Sequence, residues 1–199
     1  MKTSPTCLGI VALTLLSLTI WSGEPLKPAT PSKPKLALSI QPRHVTDALR
    51  AVILSDREVY SQLVTAHESA PTRLGLDKPP AGSQPMPSPC EMLRLGSQAT
   101  ASKGVDFSYV LRSLNPINKR NAPETEVETK GLQFVDTRPD LTYSSEELLG
   151  GRWYFTAVYP DVALNQSCVT CHNRQNPQGK QFKVGEVMGA LVIRIALEL

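Results

Sequence analysis

Aromatic residues are scarce, 6% of the chain with two tryptophans, so a platform for stacking nucleic-acid bases is excluded. Charge of one sign is scarce too: 21 basic residues against 18 acidic leave a net +3. The basic residues are dispersed, so nucleic acid is excluded as a partner. No general acid–base constellation, phosphate-cradling loop or nucleophile elbow occurs, which argues against an enzyme. Glu146 and Glu147 are adjacent and on a helix would point apart; with Ser144 and Ser145 before them they read as a solvated helix start. There is no internal repeat and no kinase or other output segment. An apolar run long enough for a stable membrane span is also missing.

What apolar run there is lies at the start. Met1 and Lys2 supply positive charge, Cys7 to Trp21 is apolar, and the small residues Ser22 and Gly23 follow. Residues 1–23 therefore read as an export signal, which sends the protein to the periplasm or another extracytoplasmic compartment. The junction Ile20-x-Ser22 matches the usual cleavage pattern poorly. An uncleaved anchor is the alternative, and it would be the chain's one contact with a membrane. Residues 24–42 are a proline-rich linker, with Pro25, Pro28, Pro31, Pro34 and Pro42 opposing helix. Residues 43–199 are one domain, large enough to bury its own core.

Within that domain Cys168-Val169-Thr170-Cys171-His172 is the most specific feature. Two thiols three positions apart, followed at once by an imidazole, form the attachment signal for a c-type haem. Each thiol adds to one porphyrin vinyl group, and the histidine supplies the proximal nitrogen to iron. A redox dithiol, a structural disulfide and a zinc site with Cys90 as fourth ligand are the competing readings. With Cys7 in the export signal and Cys168 and Cys171 bonded to haem, Cys90 is left as a free thiol. It is either an inert buried cysteine or a thiolate on the distal side of the iron. Met86, Met92 and Met188 are rival distal ligands, with His67 and His44 behind them. Arg112, Lys119 and Arg120 are candidates to pair with haem propionates, or else simple surface charge.

The periodicity predicts a helix over 44–68, with Val45, Ala48, Leu49, Val52, Val59, Leu63 and Val64 inward and Asp56, Arg57, Glu58 and Gln62 toward water. A proline-rich loop follows over 70–89, then a short helix over 91–101 with Met92, Leu93 and Leu95 as its apolar members. A strand is expected over 106–111, a loop over 114–123, and a helix over 124–135. A covered central strand over 151–159 is ended by Pro160, and Asp161 caps a helical turn over 162–164. A turn or short hairpin spans 179–185, and a buried strand over 187–197 completes an α+β fold.

The order of these stretches resembles a known family. A long helix is followed by Cys-Glu-Met-Leu at 90–93 and Val-Leu-Arg-Ser-Leu-Asn-Pro-Ile-Asn-Lys-Arg-Asn-Ala-Pro-Glu at 110–124. A strand ending Tyr-Pro, the Cys-Val-Thr-Cys-His run and Met-Gly-Ala-Leu-Val-Ile at 188–193 complete it. This is similar to the bacterial haem-c-binding, PAS-like domain family, over about 44–197, with the Asn-Pro-x-Asn-x-x-Asn-Ala-Pro loop plus CxxCH as its specific part. The resemblance implies a PAS-like antiparallel sheet holding one haem c. Cys168 and Cys171 match the attachment sites and His172 the proximal ligand. A cysteine at the place of Cys90 can be the distal ligand in that family. The chain departs from the family pattern at the proline-rich insertion before Cys90. The functions implied are a redox or gas (CO, NO) sensor working by ligand switching, with a redox or signalling protein partner, or an electron-transfer cytochrome. A zinc- or disulfide-stabilised binding module is the version without haem.

Overall fold

The computed structural model describes residues 41–69 and 86–197. The expectations for the export segment, for most of the linker and for the loop over 70–85 lie outside the described residues. Helix α1 spans Pro42–Ser69, α2 Pro89–Ala101, α3 Glu126–Thr137 and α4 Gln166–Gln175. Strands β1 Phe107–Arg112, β2 Tyr143–Leu149, β3 Arg152–Val162 and β4 Val187–Ala196 form one antiparallel sheet in the order β1-β4-β3-β2. This is the α+β architecture expected, consistent with a PAS-like domain. No described helix is long and apolar enough to cross a membrane.

Both faces of the sheet are covered, which explains why β4 reads as a nearly continuous apolar run. Val158 and Val192 face α3, with Leu132 and Val135 packed on them. Their neighbours Ala157, Tyr159, Leu191 and Ile193 face the other way, against Leu93 of α2 and Leu49, Ile53 and Leu54 of α1. The alternation is that of any strand; only the second cover makes both parities apolar. Gly131 lets α3 lie close, because a Cβ there would sit 2.5 Å from a Val158 methyl.

Pro42 does not end the linker; it opens α1, where a missing N–H costs nothing. The outward face of α1 carries Val52, Val59 and Leu63, each more than half exposed, while Arg57 is 8% exposed. Leu49 packs inward and Asp56, Glu58 and Gln62 face water as the period predicts, but the inward face is rotated so that Val52, Val59 and Leu63 lie outside it and Arg57 within it. In α2 Leu93 is buried and Leu95 is 45% exposed. α3 begins two residues after the expected Glu124, because Thr125 is the cap and accepts from the Glu128 N–H at 3.1 Å.

Residues 143–149 are a strand, not a helix start. Period-two spacing sends Glu147 inward, 8% exposed, where it accepts from Thr156 at 2.6 Å and Arg194 at 2.8 Å. β3 runs through Pro160 to Val162. The β2 ladder stops at Val158, so at Pro160 the strand has β4 alone as a partner. A proline is tolerated on such an edge. Asp161 is therefore in the strand and caps nothing; Asn165 caps α4.

Candidate functional site

The antiparallel register brings the end of β1, the end of β3 and the start of β4 to one edge of the sheet. Arg112 pairs with Ala190, and Asp161 with Gly189. Between Asp161 and Val162 the ladder skips Met188, a bulge of one residue. Over this edge lie α2, α4 and the second half of α1. They enclose a cavity of about 660 Å³, within the range of small-molecule and cofactor sites. Cys90, Cys168, Cys171 and His172 all line it.

The CxxCH run sits on α4, so Cys168, Cys171 and His172 fall at helical spacings of three and four and share a face. The helix starts where it does because Asn165 accepts from the N–H groups of Ser167 and Cys168, at 3.1 and 3.2 Å. The same oxygen accepts from the Cys168 thiol at 3.3 Å. Gln175 donates to the Cys171 sulfur at 3.0 Å. His172 meets Phe182 edge-on, with ring centroids 6.1 Å apart. Phe182 is fixed by a reciprocal pair with Asn173: its N–H donates at 2.9 Å, and its carbonyl accepts at 3.0 Å. Burial pushes the His172 imidazole below its ordinary pKa, with Asp161 pulling up and Arg57 down. The neutral ring that results is the form a metal ion takes.

Cys90 comes from a different element. It is the second residue of α2, whose first turn is closed by Ser88 accepting from the Glu91 N–H at 3.2 Å. Backbone N–H groups at that end favour negative charge. Arg57 donates to the Cys90 sulfur at 3.6 Å and pairs with Asp161 at 2.5 Å. Burial pushes the Cys90 thiol up from its ordinary pKa, and Arg57 pulls against it.

The remaining candidates separate. Met86, 47% exposed, and Met188 line the cavity; Met92 does not. The His67 side chain lies outside the described residues, and His44 is exposed near the start of α1. Lys119 and Arg120 are exposed on a short 3-10 turn, Lys119–Asn121, and do not line the cavity. Arg112 does line it but is already committed. It is 6% exposed and bonds Glu128 at 3.1 Å, Glu124 at 2.5 Å, and the Arg120 and Ala122 carbonyls at 2.8 and 3.1 Å. Surface charge is thus the wrong description for Arg112. Its role is to hold the Asn-Pro loop, whose Asn115, Pro116, Ile117, Asn118 and Asn121 form one wall.

Sequence reasoning missed Arg57, Asp161, Asn165, Asn173 and Phe182. Asn165, three residues before Cys168, is a readable cap signal. Arg57 and Asp161 meet across a long separation, and Asn173 and Phe182 meet across a loop of irregular backbone, so none of the four leaves a local signature. The competing readings of the cysteines also meet the geometry. Cys90, Cys168 and Cys171 are all free thiols. Among the described residues no three His, Cys, Asp or Glu side chains converge to hold a metal ion. The donor set is chemically compatible with haem c: two thiols and a neutral imidazole share a helix face, and a third sulfur lines the same cavity.

A family model described as Tll0287-like, Tll0287, matches residues 37–196. That span takes in every described element and agrees with the resemblance carried by the Asn-Pro loop and the CxxCH run. A solved structure, "Crystal structure of the cyanobacterial heme-protein Tll0287", is similar at 19% identity. It covers 70% of this chain and 96% of that one, with a TM-score of 0.41. No curated protein matches the chain.

Proposed function

The chain belongs to the Tll0287-like family, and on that footing we propose that it is an exported c-type haem protein, a redox or gas sensor that works by exchange of the distal ligand. The observation that carries this reading is the meeting of Cys168, Cys171 and His172 from one helix face with Cys90 from another helix in a single cavity. The family's namesake is itself described as a cyanobacterial haem protein, which supports the same cofactor.

Cys168 and Cys171 would hold the group covalently, each thiol adding across one vinyl double bond with sulfur to one carbon and its proton to the other, so that nothing leaves. His172 would offer its neutral nitrogen to the iron, with Phe182 edge-on against the ring. Cys90 would offer its sulfur to the iron as the second protein ligand. When bound, the haem supplies one-electron chemistry and an iron centre for diatomic gases. An anionic sulfur stabilises the ferric state and holds the potential low. Cys90 would be the exchangeable protein ligand, at the position where the haem would supply binding of CO or NO. A protein partner outside the cytoplasm would take the electron or the signal.

Protein made in a host with cytochrome maturation should be red, give a haem c pyridine haemochrome spectrum and keep its colour through acid–acetone extraction. Cys168→Ala with Cys171→Ala should lose the covalent adduct by mass. Electron paramagnetic resonance of ferric Cys90→Ser should lose the low-spin thiolate signal. Unchanged g-values would remove Cys90 as a ligand, and an unmodified polypeptide mass in the parent protein would end the haem reading.

A further inference from the structure

Arg57 lines the cavity, and the haem attachment signal gives it no role. A guanidinium 9% exposed on the inner face of α1, where apolar residues pack, is costly to bury. Its partner Asp161 is 14% exposed and reaches it at 2.5 Å from the end of β3. A pair that only stapled α1 to the sheet could stand anywhere along the helix. This one stands in the cavity wall, with the second guanidinium nitrogen turned to the Cys90 sulfur at 3.6 Å. Asp161 and Arg57 both act electrostatically on His172, with opposite signs, and Arg57 also feels Cys168. The pair therefore lies within reach of both candidate iron ligands.

We propose that Arg57 and Asp161 are a positioning and charge-setting pair for the Cys90 sulfur. This deepens the reading above and rests on it. Arg57 donates to the sulfur, holds it toward the cavity and draws electron density away from its bond to iron. Its positive charge favours the ferrous state. Asp161 fixes the guanidinium and places a negative charge of nearly equal reach beside it, which favours the ferric state. Each residue alone shifts the balance one way; together they nearly cancel.

The test is a spectroelectrochemical titration of the full-length haem protein and of Arg57→Met, Arg57→Lys and Asp161→Asn. Haem attachment and the ferric thiolate signal are checked in each. Arg57→Met should lower the ferrous-to-ferric ratio at fixed potential by about tenfold, a 59 mV fall for a one-electron couple. Asp161→Asn should move it the opposite way by a similar factor. Arg57→Lys keeps the charge without the fork and should shift much less than Arg57→Met. A structural staple would give shifts of one sign or none. If all variants are red and keep the thiolate signal while their potentials stay together or move alike, the assignment fails and the haem reading stands. If Arg57→Met does not fold, Arg57→Gln takes its place as the charge-removing variant, and its fall in potential must still oppose the rise in Asp161→Asn. A colourless parent protein would overturn both.

Discussion

Neutralising Glu128 should destabilise the domain and change how its stability depends on pH. The side chain is fully buried, and every oxygen is engaged. Oε1 accepts from Arg112 at 3.1 Å and Arg194 at 2.6 Å, and Oε2 from the Glu124 N–H at 2.5 Å. Removing one partner of a buried ion pair costs about 3–5 kcal/mol, because the other charge is left unpaired. Here neither arginine is left wholly alone. Arg194 keeps Glu147 at 2.8 Å, and Arg112 keeps Glu124, which is two-thirds exposed, and two carbonyls. Glu128→Gln should therefore fall at the low end, about 3 kcal/mol near neutral pH, or roughly 6–12 °C in Tm for a chain of this size.

The pH dependence follows from the shift of Glu128. Burial pushes its carboxyl up, but the Glu124 N–H, Arg194 and Arg112 outweigh burial and hold it below the usual range. A folded pKa below the unfolded one gives stability that is full above about pH 4.3 and lost as pH falls through the folded value. The variant lacks that contribution at every pH. Urea unfolding followed by circular dichroism should thus show a gap at pH 7 that narrows below about pH 4. A gap under about 1 kcal/mol at pH 7, or one as wide at pH 3, would refute the network as a source of stability.

Further outcomes follow from single contacts. Gly131→Ala should cost about 1–3 kcal/mol by overpacking against Val158, read by the same unfolding measurement; no loss would mean that α3 can lift off the sheet freely. Asn165→Ala should cost about 1 kcal/mol as a lost cap. It should also lower the fraction of chains carrying covalent haem, measured as haemochrome per polypeptide, because the thiols would sit on a frayed turn.

Legibility differed between elements for physical reasons. The strand expected over 187–197 and the helix expected over 91–101 are found within two residues of those bounds, because the β-branched run of β4 and the buried Leu93 of α2 follow local preference. Residues 143–149 were misread because Ser-Ser-Glu-Glu is a helix-start pattern, and pairing with β3 overrides it. Pro160 was read as a stop, since the missing β2 partner beside it cannot be seen along the chain. Arg57 was sent to water because charge is normally solvated, and its partners Asp161 and Cys90 lie far off in sequence.

By itself the sequence determined the chemistry on offer. Two thiols and an imidazole at fixed spacing carry their own geometry onto any helix, and that needs no knowledge of the rest of the chain. Tertiary structure decided which distant groups surround them. The sheet register sets Asp161 beside the cavity, the rotation of α1 turns Arg57 into it, and the start of α2 brings Cys90. Those choices depend on packing between elements, where the free energy of one buried face outweighs the local preference of any single residue.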